Sequence, residues 1–334
     1  MLRILQSGLE TTVQDLGRYQ WYRIGMPPAG AMDQFSFRVG NLLVGNPKEA
    51  AGLEITFQGP EIETTDDAII AVTGADIDLR INGAPAQQWT ALYVPRGSNI
   101  SCGAVQRGVR AYLCIAGGID IPPRLGSRST YMLGRFGGIE GRRLMANDAL
   151  PVGNWTSNAE ALVGRQIHRG LIPELEPETE LRIVIGMCAD RVVDESLEEF
   201  LSARWQVSSE SNRVGYRLKG PRFTFRDREQ PFGAGSDPSN VVDLGYPVGS
   251  IQIPGGQEAI LLLRDAVTLG GYATIGTVIQ CDLDRAAQAE PGSRVRFRAV
   301  DIEGALRARA EYKEGLARVA NSLALFDQLD LLGQ

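Results

Sequence analysis

Histidine is nearly absent from this 334-residue chain, with His168 the only one. A Ser-His-Asp or Cys-His nucleophile would have to use it. The polar stretch around it, just before a proline-rich segment, offers no buried and oriented base. Chemistry here is therefore expected to run on carboxylates, hydroxyls, backbone amides and arginine. Cysteine is scarce as well. Cys102, Cys114, Cys188 and Cys281 lie far apart and none forms a C-x-x-C pair, so reduced thiols are expected rather than a disulfide framework or a zinc site, and no metal ligands are assigned. Long apolar runs are missing too. The longest are a few residues, against about 20 needed to cross a bilayer, so no membrane span is expected. The opening Met1-Leu2-Arg3-Ile4-Leu5 has one basic residue and no long apolar core of the signal-peptide kind, so the expected address is cytoplasmic. Nor is there a basic excess: 34 Lys and Arg against 40 Asp and Glu give a net charge of −6 with the signs interspersed. That argues against a nucleic-acid partner and leaves small molecules or proteins.

What is abundant is glycine and proline, 39 and 17, placed between short Val/Ile/Leu/Thr runs in a chain that is 43% hydrophobic. Many short strands joined by turns produce that pattern, so a mainly β fold is expected. Strands are predicted over 68–72, 77–81, 91–94, 109–115, 181–185, 259–263 and 293–297, with Asn82-Gly83 as a hairpin turn. Two helices are predicted. One covers residues 32–44, with Phe35, Val39, Leu42 and Leu43 on one face and Gly45 at the stop. The other is the tail, where Leu306, Tyr312, Leu316, Val319, Leu323 and Phe326 recur at helical spacing. The tail helix is suited to docking on its own body or on a partner. Glu174-Leu175-Glu176-Pro177-Glu178 reads as a linker between a first lobe over 1–173 and a second over 179–300, followed by the tail at 301–334.

Four segments carry groups suited to chemistry. Gln14-Asp15-Leu16-Gly17-Arg18 packs an amide, a carboxylate and a guanidinium into five positions, fit for anion capture or for a turn closed by an Asp-Arg pair. Ser127, Arg128 and Ser129 follow Gly126 as a candidate oxyanion or phosphate cradle, although the segment lacks the P-loop pattern and also reads as a polar turn. Arg213, Gly215 and Arg217 share one face of an extended strand, so both guanidiniums can converge on one anion or simply face solvent, with Tyr216 between them. Finally, an apolar run from Ser250-Ile251-Gln252 through Leu261-Leu262-Leu263 ends in Asp265, Thr268 and Gly270-Gly271-Tyr272. Paired glycines at a strand end admit close approach of a backbone or ligand. Asp265 is placed as a general base or a structural turn cap.

Taken together these segments resemble one family. Gln14-Asp15-Leu16-Gly17-Arg18, Pro28-Ala29-Gly30-Ala31-Met32-Asp33, Asn41 to Asn46, Gly59-Pro60, Thr73-Gly74-Ala75-Asp76, Arg110-Ala111-Tyr112-Leu113 and Ala116-Gly117-Gly118-Ile119-Asp120 open the series. Leu125 to Thr130, Arg213 to Leu218, Gly249 to Pro254 and Gly270-Gly271-Tyr272 complete it. They occur in the order seen in the larger subunit of the 5-oxoprolinase and urea amidolyase carboxyltransferase family. That family is also called allophanate hydrolase subunit 2 and includes the antagonist of the Kip sporulation kinase inhibitor. The resemblance spans roughly residues 3–300. It implies tandem cyclophilin-like β-barrels and a small partner subunit of the same family, with a third lactam-utilisation protein in the oxoprolinase case.

The lead activity it implies is ATP-dependent opening of 5-oxoproline or a related amide to glutamate, with ATP and magnesium as cofactor. The alternatives are carboxyl transfer to urea or a similar amide from carboxybiotin carried on another chain, and a non-catalytic antagonist that binds a kinase inhibitor. The roles implied are Asp265, Thr268 and Arg128 in catalysis. Gln14, Asp15, Arg18, Ser127, Ser129, Arg213, Tyr216, Arg217, Gln252, Gly270, Gly271 and Tyr272 would bind substrate or anion. One departure stands out: relatives commonly carry a polar amide and a hydroxyl where this chain has Val267 and Leu269.

Overall fold

Asn82 and Gly83 both adopt positive φ, 52° and 81°, which is the backbone a tight two-residue hairpin demands and which asparagine and glycine tolerate best. They join Ile81 to Ala84, paired directly across the turn. Such turns recur through a chain that a computed structural model describes over residues 1–155 and 159–332; for 159, 160 and 325–332 only the backbone is described. The chain divides into two units. The first comprises Met1–Arg18, Ala29–Leu175 and Lys313–Gln334, and the second Tyr19–Pro28 and Glu176–Tyr312.

The strands of the first unit are β1 (Leu2–Gln6), β2 (Glu10–Gln14), β3 (Gly52–Thr56), β4 (Glu61–Thr64), β5 (Ala68–Ile81), β6 (Ala84–Pro85), β7 (Leu92–Val94), β8 (Asn99–Ile115) and β9 (Ala149–Leu150). They form a nine-stranded sheet in the order β2-β3-β8-β4-β1-β9, with β5 pairing β6, β7 and β8. The β5–β8 pair explains the unbroken apolar runs. Ile70, Val72, Ala111, Leu113 and Ile115 face one core, while Ile69, Ala71, Tyr112 and Cys114 face another. A strand buried on both faces has no polar side to show. Several register shifts between Gly74 and Leu79 let β5 continue as one strand where two were expected.

Helix α1 (Gln34–Leu43) covers the second core. Asp33 caps it: one carboxylate oxygen accepts from the Ser36 amide at 2.9 Å and the other from the Ser36 hydroxyl at 2.6 Å. The buried face is Phe37, Val39 and Leu43, with Phe35 and Leu42 only half-buried.

The second unit contains β10 (Glu178–Ile185), α2 (Asp194–Ser202), β11 (Trp205–Val207), β12 (Gly215–Lys219), β13 (Asn240–Gly245), β14 (Ser250–Gln252), β15 (Ala259–Leu262), β16 (Leu269–Tyr272), β17 (Thr274–Val278), α3 (Leu283–Ala287) and β18 (Arg294–Ala299). Seven strands close a barrel in the order β10-β17-β14-β15-β12-β11-β18, with β18 parallel to β10 at the seam. Phe200 stacks on Phe297 at 4.7 Å, and Trp205 on Phe223 at 5.8 Å, so an aromatic cluster joins the buried aliphatic residues of this unit. Strands β13 and β16 lie off the barrel as a two-stranded ribbon. The mainly β fold expected from the glycine and proline punctuation is thus the one adopted, with the barrel architecture that the family resemblance implied.

Helix α4 (Ile302–Leu332) is the tail helix. Its Val319 and Leu323 are buried in the second core of the first unit, so the helix docks on its own chain there. The side chain of Phe326 lies outside the described residues. All four cysteines are free; Cys102, Cys114 and Cys188 are buried and Cys281 half-buried. Burial pushes the Cys102 thiol up to about 12 and the Cys114 thiol higher still, which keeps both protonated and unreactive. No helix among the described residues is long and apolar enough to cross a membrane.

Candidate functional site

In the first unit the expected cradle exists, and its anion is the chain's own Asp15. One carboxylate oxygen accepts from the Ser127 hydroxyl at 2.7 Å, from the Gly17 amide at 2.7 Å and from the Ser129 hydroxyl. The other accepts from the Arg128 amide at 2.6 Å. A carboxylate with this many donors has little capacity left for an outside partner. Ser127 and Ser129, expected to grip a ligand, are buried around Asp15.

The neighbouring groups extend this internal work. The Gln14 amide nitrogen donates to Thr12 and to the Thr130 carbonyl, and its oxygen accepts from the Gly30 amide at 3.1 Å. Arg18 donates to the Ser129 carbonyl and lies 5.2 Å from the Phe136 ring centre. Arg128 turns outward, bonding the Ile121 carbonyl at 2.7 Å and Asp120 at 2.8 Å. Ala29, Leu125, Arg135 and Glu140 hold positive φ around this corner, so the loops carry strain that the internal bonds must offset.

A second polar cluster of this unit escaped the sequence reading. Glu54 on β3 is 1% exposed and accepts from the Tyr112 hydroxyl at 2.9 Å and the Met32 amide at 2.8 Å, with the Arg110 guanidinium 3.7 Å away. The Tyr112 hydroxyl in turn accepts from the Asp33 amide at 2.8 Å. Burial, with the Glu54 carboxylate beside it, pushes the Tyr112 phenol well above its ordinary value. The available signal was a lone charge inside an apolar strand, Leu53-Glu54-Ile55, facing Tyr112 across the register. These groups are too deeply buried to touch a ligand, and they fix the loop that starts α1.

The second unit treats its charges differently. Arg213 and Asp265 form a two-pronged pair, 3.0 Å on each prong, with both side chains at most 4% exposed. Arg217 does not join them. It pairs with Glu258 and lies 3.7 Å from Glu210, with 43% of its side chain exposed. The expected convergence on one anion fails because Arg213 precedes β12. The Asn212 side chain accepts from the Val214 amide at 2.8 Å and forms a turn there, so strand alternation does not yet apply. Tyr216 points inward and donates to the Ala287 carbonyl at 3.3 Å.

Beyond Asp265 the chain runs into β16. Thr268 is 4% exposed and its hydroxyl has no hydrogen-bond partner among the described residues. Its flanking neighbours Val267 and Leu269 are 52% and 53% exposed, and Tyr272 is 44% exposed. The hub is a residue that sequence reasoning missed, Tyr246. Its hydroxyl accepts from the Tyr272 amide at 2.6 Å and donates to the Tyr272 carbonyl at 2.8 Å. Gln252 bonds the same hydroxyl, and burial raises the phenol's pKa. A Cβ at Gly270 would lie 2.9 Å from the Tyr246 ring, so the glycine makes room for it. At Gly271 the nearest atom, the Val241 carbonyl oxygen, would be 3.3 Å away, and here β13 bulges between Asn240 and Leu244.

The single histidine sits apart from all of this. His168 is exposed and accepts from the Gly170 amide at 3.1 Å, a capping role. Among the described residues no group of three or more His, Cys, Asp or Glu could hold a metal ion.

A family model for the carboxyltransferase domain, subdomains A and B, matches residues 24–299. The chain is 34% identical over 325 residues to a 5-oxoprolinase subunit of Escherichia coli (strain K12), covering 96% of this chain and 98% of that one. It is 36% identical over 304 residues to urea amidolyase of Lachancea kluyveri, where it covers 88% of this chain but spans only 16% of the relative. Among solved structures, the K. lactis urea amidolyase superposes with a TM-score of 0.87 at 33% identity, over 95% of this chain and 20% of that one.

Proposed function

The chain belongs to the carboxyltransferase family of subdomains A and B, and from that membership we propose that it is the large subunit of a 5-oxoprolinase-type enzyme. The reaction is ATP-dependent opening of 5-oxoproline or a related amide, carried out with a small subunit and a lactam-utilisation protein. The observation that carries this reading is the end-to-end match, 96% and 98% of the two chains, with a protein named as an oxoprolinase subunit. Relatives of this family are subunits or parts of enzymes, urea amidolyase among them.

Within the chain, the β16 strand end is the amide site. Arg213 fixes the orientation of the Asp265 side chain, Thr268 supplies a hydroxyl with no partner among the described residues, and Tyr272 stands at the rim. A buried polar group left without a partner is costly, by about 1–3 kcal/mol, unless something else satisfies it. An amide substrate offers both a donor and an acceptor for such a hydroxyl.

The donors that the sequence offered for a triphosphate do not fit one. Ser127, Ser129 and the Arg128 amide close on Asp15, and Arg213 closes on Asp265. In this reading ATP binds on another subunit. The test is to combine the chain with its small subunit and the lactam-utilisation protein and measure ATP hydrolysis with and without 5-oxoproline. Turnover that depends on 5-oxoproline, with glutamate formed, is the expected result. Its absence, together with decay of carboxybiotin stimulated by urea, would favour the second reading, carboxyl transfer. That reading is supported by the description of the family model and the urea amidolyase matches.

A further inference from the structure

Residues Tyr19–Ile24 form a short 3-10 helix in which no residue is buried. Trp21 and Tyr22 are half-buried there, and two tyrosines of the segment make polar contacts to distant parts of the chain. The Tyr22 hydroxyl donates to the Tyr246 carbonyl at 2.7 Å, and the Tyr19 hydroxyl bonds the Arg264 guanidinium. The two anchors differ in what lies behind them. Tyr246 also bonds both backbone groups of Tyr272 through its hydroxyl, and its amide donates to the Thr268 carbonyl at 2.8 Å. Tyr22 thus holds the residue that holds the strand end.

We propose that Tyr22 is a positioning residue for the strand end Gly270-Gly271-Tyr272, acting through Tyr246. The chain of contacts runs from the Tyr22 hydroxyl to the Tyr246 carbonyl, and from the Tyr246 hydroxyl to the Tyr272 amide and carbonyl. The ring beneath Gly270 couples any tilt of Tyr246 to the strand itself. Burial and the neighbouring Tyr19 push the Tyr22 phenol up to about 12, so it remains a donor across the neutral range. The role in turnover rests on the β16 strand end being the amide site, whereas the role in holding the strand does not.

Two isosteric variants test it. Tyr22→Phe removes the contact to Tyr246, and Tyr19→Phe removes the contact to Arg264. The first readout is hydrogen exchange at the Tyr272 amide in the full chain, and the second is kcat and KM for 5-oxoproline-dependent ATP hydrolysis by the assembled complex. Loss of one hydrogen bond is expected to speed exchange in Tyr22→Phe about tenfold and lower kcat by a similar factor with KM unchanged, while Tyr19→Phe matches wild type in both. Faster exchange in Tyr22→Phe alone supports the relay even if no lactam drives turnover, which separates this proposal from the functional reading above. Exchange equal to wild type in Tyr22→Phe, or an equal rise in Tyr19→Phe, overturns it. So does an unchanged kcat in Tyr22→Phe when turnover is present.

Discussion

In the first unit four donors close on Asp15, and the residues around them serve the fold. In the second, Arg213 closes on Asp265 while the Thr268 hydroxyl nearby has no partner among the described residues and Val267, Leu269 and Tyr272 stand half in solvent. Both places combine arginine, hydroxyl and carboxylate groups, and a short sequence window cannot tell them apart. The difference is whether the chain itself supplies the counter-ion and leaves anything over. A cradle closed on its own carboxylate and buried is a structural device; the second place is the candidate for chemistry because its buried hydroxyl lies between side chains that reach solvent, Val267, Leu269 and Tyr272.

The largest expected effect is on the buried pair. Arg213→Met should destabilise the protein by about 3–5 kcal/mol in urea unfolding, because it leaves the Asp265 carboxylate buried without a counter-charge. Replacing both partners, Arg213→Met with Asp265→Leu, should recover much of that loss. Asp15→Ala comes next, at about 2–3 kcal/mol, since buried hydroxyls and amides lose their acceptor. A loss no larger than a surface substitution would break the claim that the first cradle is filled from within. Gly270→Ala should cost about 1–2 kcal/mol through the clash with the Tyr246 ring, and thermal unfolding would register it. Smallest is Thr268→Val, expected within about 1 kcal/mol of wild type because the hydroxyl has no described partner to lose. A larger loss would mean that Thr268 serves the fold after all.

Much of the β architecture was legible. Asn82-Gly83 marked its hairpin, and the apolar runs at 68–72 and 109–115 marked the centre of the first sheet, because turn chemistry and burial leave local traces. The continuity of β5 through residues 73–76 and the first part of β8, residues 99–108, were not legible, since these stretches carry bulges and little apolar alternation. The helix at α1 was found, but its buried face includes Phe37 rather than Leu42, a shift that depends on what α1 packs against.

At the candidate site, Asp265, Thr268 and Gly270 were chosen by residue type, while Tyr246 and Tyr22 were not. Their roles depend on backbone groups 26 and 224 residues away, separations that leave no mark on local spacing. Arg213 and Arg217 show the converse error. Strand alternation was applied two residues too early, and Asn212 forms a turn there instead.

The most direct measurement compares Thr268→Val with Asp15→Asn in the assembled complex, under conditions where both remain folded, reading 5-oxoproline-dependent ATP hydrolysis. The expected result is that Thr268→Val loses most of kcat/KM while Asp15→Asn retains it. Loss of kcat/KM in Asp15→Asn with none in Thr268→Val would contradict the assignment of chemistry to the second unit's strand end.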